Sequence, residues 1–147
     1  FMKKYQTTKT FGHDKGYSCA FRQWNAKTNC KYLHGYSLGF KITLEAINLD
    51  DNNWVYDFGD FGFLKKWLTK NFDHKLLIDE NDPDLEFLRT LDEKDLAQVN
   101  IIPKISCEYF AEMTFGFIKQ HLSNQHEIKV VSVEVSEHNA NTAAYFE

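Results

Sequence analysis

The most regular alternation of hydrophobic and polar residues runs from Ser37 to Ala46. The apolar residues of this segment fall on every second position, which places them on one face of an extended strand. One apolar and one polar face are typical of antiparallel sheets, so the pattern predicts a half-buried antiparallel strand. Residues 4–24 are predicted to form an earlier strand interrupted by a loop at residues 12–16, because threonines favour extended backbone and glycines break it.

Helical periodicity predicts a first helix over residues 58–71. Its apolar positions are Phe61, Leu64 and Leu68. Asp57 is the predicted N-cap, because aspartate accepts hydrogen bonds from a first helical turn, and residues 54–56 ahead of it are predicted to be extended.

A second main helix is predicted to begin at Ser106, because serine is a favoured N-cap and apolar residues follow at helical spacing. Its inward-facing residues are Phe110, Met113 and Phe117. The acidic stretch of residues 82–95, between the two helices, is a further helical candidate.

Two short strands are predicted to close the chain, over residues 127–137 and 141–146, with turn-forming residues between them. The order of elements predicts an α+β fold in which two main helices cover one face of an antiparallel four-stranded sheet. The whole chain, residues 1–147, is predicted to be a single domain. Because such a sheet has two open edges, assembly of several identical subunits is also expected.

Composition and charge narrow the classes of partner. The chain has 147 residues and a net charge of −4 without a run of basic residues, so no binding to nucleic acid or to anionic membranes is expected. No apolar stretch approaches the roughly 20 residues of a membrane span, no signal peptide is expected, and Phe1 is interpreted as a residue left by cloning. Aromatic residues make up 16% of the chain, which predicts an aromatic core, an oligomer interface or a pocket for a flat ligand.

Three cysteines at wide spacings suggest neither a disulfide framework nor a CxxC metal site, so a reducing, cytoplasmic location is expected. Cys19 and Cys107 are interpreted as core residues. Cys30 is followed by His34 just before a predicted strand, and a nearby imidazole can lower the pKa of a thiol from about 8.5 towards neutrality. The two residues are therefore either a candidate base or nucleophile, or a buried cysteine and a hydrogen-bonded histidine.

Acidic residues supply the other candidates. Asp73 precedes His74, and a carboxylate can fix the tautomer of an imidazole, although such a dipeptide is more often a solvated helix exit. Glu137 shares its parity with the valines before it, so its carboxylate either lies on the apolar face, where it could hold adjacent N–H groups of a flat heterocycle, or lies in solvent at the turn. Glu108, in the first turn of the second helix, is explained by the helix dipole alone.

Five motifs, taken in order, resemble the 6-pyruvoyltetrahydropterin synthase and 6-carboxytetrahydropterin synthase family. They are Cys-x3-His-Gly-x-Ser, Asp-Phe-Gly-Asp ahead of a helix, Asp-His, Ser-Cys-Glu at a helix start, and Val-x-Val-x-Glu before Tyr145. Each motif is short, but together they cover most of the chain with compatible spacing.

The resemblance implies the tunnelling fold, a ββααββ unit whose trimers close a β-barrel and stack in pairs as hexamers, with pterin sites between subunits. It also implies a cysteine general base, an Asp-His pair that supports proton transfer, and a glutamate that anchors the pterin ring. The matching positions are Cys30, Asp73, His74 and Glu137, with Ser106 and Glu108 in the helix-start motif.

The same resemblance implies a catalytic zinc ion held by three histidines, and here the chain departs from the family. The three positions hold Phe21, His34 and Tyr36, so His34 alone matches a ligand. Because catalytic zinc sites use three protein ligands, zinc would be retained only if His13 or a Tyr36 phenolate completed the set. Arg22 is a candidate for supplying positive charge to a phosphate or carbonyl oxygen of the substrate instead.

On these grounds, the chain is expected to be a pterin-pathway lyase that acts on 7,8-dihydroneopterin triphosphate or a close analogue, in the synthesis of biopterin or queuosine. Cys30 is the expected base, supported by Asp73 and His74, and Glu137 is expected to hold the ring. One alternative is a metal-free homologue that binds a pterin or purine with altered or no catalytic activity. Another is a structural barrel subunit without a ligand.

Overall fold

The computed structural model describes residues 3–147, so Phe1 lies outside the described residues. The strands are β1 (Tyr5–Phe11), β2 (Tyr17–Phe21), β3 (His34–Ala46), β4 (Lys75–Asp79), β5 (Gln98–Ile102), β6 (Ile128–His138) and β7 (Asn141–Phe146). The helices are α1 (Gly62–Asn71), α2 (Leu85–Glu93) and α3 (Cys107–His121), and short 3-10 turns, His13–Lys15 and Asn29–Lys31, precede β2 and β3. None of the helices within residues 3–147 has both the length and the apolar character needed to cross a membrane.

One sheet of seven strands is built around the long strand β3. The strand order is β5-β4-β2-β3-β6-β7, and β1 also pairs with β3. Residues 34–38 of β3 pair with β2 and residues 40–46 pair with β1, so the two short strands share one edge of β3 while β6 occupies the other. All pairs are antiparallel except those of β4, which runs parallel to both β2 and β5.

The main core lies between this sheet and the helices α1 and α3. Strand β3 confirms the predicted alternation, because its inward residues are almost completely buried: Leu38, Phe40, Ile42 and Leu44. Trp67 of α1 stacks on Phe117 of α3 with ring centroids 4.7 Å apart, which joins the two helices over one face of the sheet. The predicted arrangement of two main helices on one face is therefore confirmed.

The sheet has seven strands where four were predicted, because the interrupted first strand forms both β1 and β2, and because β4 and β5 extend the sheet at one end. Strand β4 is a continuous apolar run with both faces covered, so it lacks the alternation that marks a half-buried strand. Its residue Leu77 belongs to the main core, whereas Leu76 and Ile78 pack with Leu88 of α2. Helix α2 therefore covers the opposite face, and it confirms that the acidic stretch of residues 82–95 is helical.

The predicted start of the first helix is also wrong. Helix α1 begins at Gly62, and Asp57 does not cap it: Asp57 Oδ1 accepts a hydrogen bond from the Gly59 N–H at 2.8 Å and so closes a turn. Residues 54–56 form bends instead of a strand. The start of α3 is as predicted, because the Ser106 side chain accepts a hydrogen bond from the Tyr109 N–H at 3.0 Å.

Candidate active site

A shallow depression of about 230 Å³ lies where the first turn of α3 meets the hairpin of β6 and β7. Its lining residues are Cys107, Glu108, Glu137, Asn141, Thr142 and Ala143. The N-cap bond of Ser106 fixes the first turn of α3, so Cys107 and Glu108 are held beside the hairpin. The depression thus gathers two predicted site residues, Glu108 and Glu137, from distant parts of the sequence.

Glu137 reaches this depression through an irregularity in β6. The register of β6 shifts between Ser136 and His138 against β7, and another shift occurs against β3, so simple parity does not describe the strand. Glu137 is half-buried, and Asn141 Nδ2 donates a hydrogen bond to its Oε1 at 2.8 Å. The carboxylate therefore lies within the hairpin with a fixed partner.

The three cysteines differ in environment. Burial raises the pKa of Cys19 to about 12, and burial together with the charges of Glu137 and Glu108 raises the pKa of Cys107 to about 12. Both thiols are therefore protonated at neutral pH. Cys19 is a core residue as interpreted, whereas Cys107 is half-buried at the edge of the core and lines the depression. Cys30 is exposed, on the 3-10 turn that precedes β3.

Asp73 and His74 form a close pair at the junction of α1 and β4. His74 Nδ1 lies 2.7 Å from Asp73 Oδ1, and because a carboxylate accepts, Nδ1 carries the hydrogen and Nε2 is the basic nitrogen. The backbone of His74 has a φ of 57°, and its N–H donates to the Ser18 carbonyl at 2.6 Å, which turns the imidazole outward with 77% of its side chain exposed. Within residues 3–147 of a single chain, this pair makes no hydrogen bond to Cys30.

The three positions at which the resemblance places zinc ligands lie together, but they form an aromatic cluster. The ring centroid of His34 lies 5.4 Å from those of Phe21 and Tyr36, and Phe21 and Tyr36 are 6.1 Å apart. Phe21 also packs edge-on against Phe110 of α3, with centroids 5.4 Å apart. Phe21 therefore anchors the cluster to the core and offers no ligand atom.

The surroundings of Tyr36 disfavour the phenolate form of its side chain. Burial, and then the charges of Glu137, Cys30 and Cys107, raise its pKa above the ordinary value. Across residues 3–147, no group of three or more His, Cys, Asp or Glu side chains is arranged to hold a metal ion. The residues at these positions therefore do not form the three-ligand set of a catalytic zinc site.

His13 does not complete the set either. Its imidazole packs over Gly39, where a Cβ would lie 3.3 Å from His13 Cε1, and its Nδ1 bonds to the Ser37 carbonyl. These two contacts lie three and five residues beyond His34 along β3, which corresponds to roughly 10 and 16 Å at about 3.3 Å per residue. In one chain, the imidazole of His13 is therefore held apart from that of His34.

Arg22 is occupied by two aspartates. Its guanidinium donates to both carboxylate oxygens of Asp82, at 2.9 and 2.6 Å, and to Asp84 at 2.9 Å. The Asp82 side chain is only 1% exposed, and the Arg22 hydrogen bond lowers its pKa. Arg22 therefore ties the end of β2 to the loop before α2, and its predicted contact with substrate stays a prediction.

Two site residues were missed by sequence reasoning. Asn141, which holds Glu137, and His138, whose ring centroid lies 6.0 Å from that of Tyr36, flank the turn that joins β6 and β7. The only signal was their position beside Glu137 in a segment interpreted as turn-forming.

Comparison with known proteins identifies the family of the chain. The model of the family described as 6-pyruvoyl tetrahydropterin synthase matches residues 11–147. The 6-carboxy-5,6,7,8-tetrahydropterin synthase of Aquifex aeolicus is 28% identical over 161 aligned positions, which cover 98% of this chain and 99% of that protein. The protein of the same name from Rickettsia bellii is 38% identical over 60 residues, 40% of this chain and 44% of that protein.

Solved structures share the fold. An uncharacterized protein from Wolinella succinogenes superposes with a TM-score of 0.84 at 20% identity, over 98% of both chains. The 6-pyruvoyl tetrahydropterin synthase of Caenorhabditis elegans superposes with a TM-score of 0.66 at 18% identity, over 99% of this chain and 97% of that one. The predicted tunnelling fold is therefore confirmed, with more strands than the sequence pattern indicated.

Proposed function

Because the chain belongs to the 6-pyruvoyl tetrahydropterin synthase family, we propose that it is a pterin-pathway lyase that acts on 7,8-dihydroneopterin triphosphate or a close analogue. The observation that carries the proposal is the depression at the start of α3, where Glu137 and Glu108 lie with Cys107. Its positioned carboxylate suits a flat heterocycle that presents adjacent N–H groups, and the rings of Tyr36 and His138 lie beside Glu137 in the hairpin region.

Glu137 is the proposed anchor of the ring. Its carboxylate can accept two parallel hydrogen bonds from adjacent N–H groups of a pterin. The bond from Asn141 to Oε1 holds the carboxylate in one orientation before a ligand arrives, which lowers the entropy lost on binding. Ser106 supports this site as the cap of α3, and Glu108 lines it.

Cys30 is the proposed base. As a thiolate, it would take a proton from a carbon of the substrate side chain onto Sγ, and the electron pair of the broken C–H bond would pass into the conjugated pterin ring. Of the three thiols, it is the exposed one, whereas Cys19 and Cys107 are held protonated by burial. Cys30 also contributes to the electrostatic environment of Tyr36, so it lies near the aromatic cluster.

Asp73 and His74 are proposed to serve the Cys30 of a neighbouring subunit. In one chain the His74 imidazole points outward, and its Nδ1 is paired with Asp73, which leaves Nε2 as the ring nitrogen that can exchange a proton with a neighbour. A shared site of this kind agrees with the position of pterin sites between subunits that the resemblance implies.

The test is turnover of 7,8-dihydroneopterin triphosphate by wild-type protein, Cys30→Ser and Cys19→Ala. General-base catalysis contributes about 10² to 10⁴ in rate, so we expect Cys30→Ser to lose at least about 100-fold in kcat while keeping the wild-type mass in solution. Cys19→Ala removes a buried, protonated thiol and is expected to retain turnover. Unimpaired turnover in Cys30→Ser would overturn the role of Cys30.

A second function is favoured by Phe21 and Tyr36, which stand where the family carries zinc ligands. It is a metal-free homologue that binds a pterin or purine with altered or no catalytic activity. Elemental analysis combined with a turnover assay separates the two proposals: protein that binds pterin without metal and without turnover supports this second function.

A further inference from the structure

The hydroxyl group of Tyr36 makes no hydrogen bond to another residue in the part of the chain described, 3–147. Every buried polar side-chain atom within residues 3–147 has a hydrogen-bond partner, so the unpaired hydroxyl of Tyr36 is not buried. The Tyr36 hydroxyl is thus an accessible hydrogen-bond donor in the cluster of Phe21, His34 and Tyr36, whose contacts are between aromatic rings.

The position of Tyr36 brings this hydroxyl to the candidate site. Tyr36 lies opposite Cys19 in the β2–β3 register and two residues before the buried Leu38, so it continues the core face of β3 to the point where the core opens. There its ring lies 6.0 Å from that of His138, next in sequence to Glu137. The hydroxyl therefore borders the hairpin that carries the proposed ring anchor.

The other polar groups nearby are poor donors to a ligand oxygen. The Arg22 guanidinium is neutralised by Asp82 and Asp84. His34 directs Nδ1 to the Tyr32 carbonyl at 2.7 Å, so in the neutral imidazole Nδ1 donates to that carbonyl and Nε2 can only accept. Of the three clustered residues Phe21, His34 and Tyr36, Tyr36 therefore carries the neutral hydroxyl donor.

We propose that Tyr36 donates a hydrogen bond to an oxygen atom on the side chain of a bound pterin, and that this contact replaces a zinc ion at Phe21, His34 and Tyr36, whose side chains do not form a three-ligand set. This inference rests on the proposed function. The inference explains how the site would distinguish between pterins. Glu137 recognises the ring, which all pterins share, and Tyr36 recognises an oxygen-bearing side chain, which only some pterins carry.

The test compares two probes that differ in that side chain. Neopterin carries a trihydroxypropyl group and unsubstituted pterin carries none, so titrations of both into wild-type protein and Tyr36→Phe isolate the contact. A neutral hydrogen bond contributes about 0.5–1.5 kcal/mol, so we expect Tyr36→Phe to bind neopterin roughly 3- to 10-fold more weakly and to bind pterin with unchanged affinity. Elemental analysis of the same wild-type sample is expected to find far less than one zinc ion per subunit.

Three results would overturn the inference. Equal weakening of both probes, or no weakening of neopterin, would remove the side-chain contact while leaving the proposed pterin site intact. Zinc near one ion per subunit, lost when Tyr36 is changed, would make Tyr36 a metal ligand. Failure of both probes to bind wild-type protein would reject the proposed function itself together with the inference.

Discussion

Arg22, a predicted substrate contact, stabilises the fold through its hydrogen bonds to two aspartates. Its guanidinium meets both oxygens of Asp82, whose side chain is 1% exposed, while the Arg22 side chain is 21% exposed. A carboxylate buried to this degree needs donors, and the backbone N–H of Asp84 supplies one more at 2.8 Å. The pair therefore stabilises the connection between β2 and the loop ahead of α2.

Asp82→Asn is expected to lower the free energy of unfolding by roughly 2 kcal/mol at pH 7. This is less than the loss expected for a fully buried ion pair, because Arg22 is partly exposed and retains its ion pair with Asp84. The pKa of Asp82 is lowered in the folded state, so its stabilising contribution is complete above an unfolded pKa near 4 and is lost as the pH falls through the lower folded value. Urea unfolding at pH 7 and at pH 3 tests this.

Asp84→Asn is the matched control, because that side chain is 63% exposed and its loss should cost less than about 0.5 kcal/mol. A difference between wild-type protein and Asp82→Asn that stayed constant down to pH 3 would contradict the ionic origin of the effect.

At the scale of single residues, the sequence was informative where a motif was local. The Asp73–His74 contact and the Ser106 cap form between residues at most three positions apart, so they could be predicted without the fold. The partner of Arg22 lies 60 residues away, and no local pattern indicates such a contact. The bond between Asn141 and Glu137 depends on the irregular register of the hairpin, which alternation alone does not reveal.

Among the secondary-structure elements, the pairing of β2 with β3 is what brings Phe21, His34 and Tyr36 into one cluster. Phe21 lies opposite His34 and Ala20 opposite Gly35. The two strands approach so closely that a Cβ on Gly35 would lie 2.6 Å from the Cys19 carbonyl oxygen. Glycine at this position is therefore required by the packing of backbone against backbone.

Gly35→Ala is expected to destabilise the protein by more than about 2 kcal/mol, because the two strands must separate to admit a methyl group. Gly116→Ala is the control: Gly116 lies in α3, and a Cβ added there would have nothing within 4 Å, so alanine should stabilise by about 0.5–1 kcal/mol through its higher helix propensity. Thermal unfolding of both variants measures the contrast, and equal stability of Gly35→Ala and wild-type protein would show that the strands are further apart.

The elements themselves were predictable to different degrees. Helix α3 could be predicted because its apolar face continues over more than two turns. Strand β3 could be predicted because apolar and polar residues alternate along most of its length. Strand β4 was missed because its residues are buried on both faces, by the main core and by α2. The start of α1 was placed four residues early because Asp57 closes a local turn instead of capping the helix.

For the molecule as a whole, assembly decides whether the proposed catalytic groups meet. Cys30 and the Asp73–His74 pair are exposed in one chain and make no mutual hydrogen bond within residues 3–147. Strands β1 and β7 each leave an edge without a partner strand in this same range. Trimers or hexamers that join such edges are proposed from the family resemblance, with a mass of three or six times 17.3 kDa.

A shared site predicts complementation between two inactive variants. Cys30→Ser and His74→Ala are each expected to lack turnover, whereas their co-assembly should restore about a quarter of the sites, because each restored site takes its thiol from one variant and its imidazole from the other. Turnover of the mixed oligomer, with light scattering to verify its mass, is the measurement. No recovery in an assembly that contains both chains would mean that Cys30 and His74 act within one subunit or do not act together.

The central claim is that Glu137 of this chain binds a pterin ring. Titration of unsubstituted pterin into wild-type protein, Glu137→Gln and Glu134→Gln tests it most directly. A charge-assisted pair of hydrogen bonds contributes about 1.5–3 kcal/mol, so Glu137→Gln should bind at least about 10-fold more weakly. Glu134→Gln changes a glutamate of the same strand that pairs with Lys41 and should bind as wild-type protein does. Pterin bound with equal affinity by wild-type protein and Glu137→Gln would contradict the account.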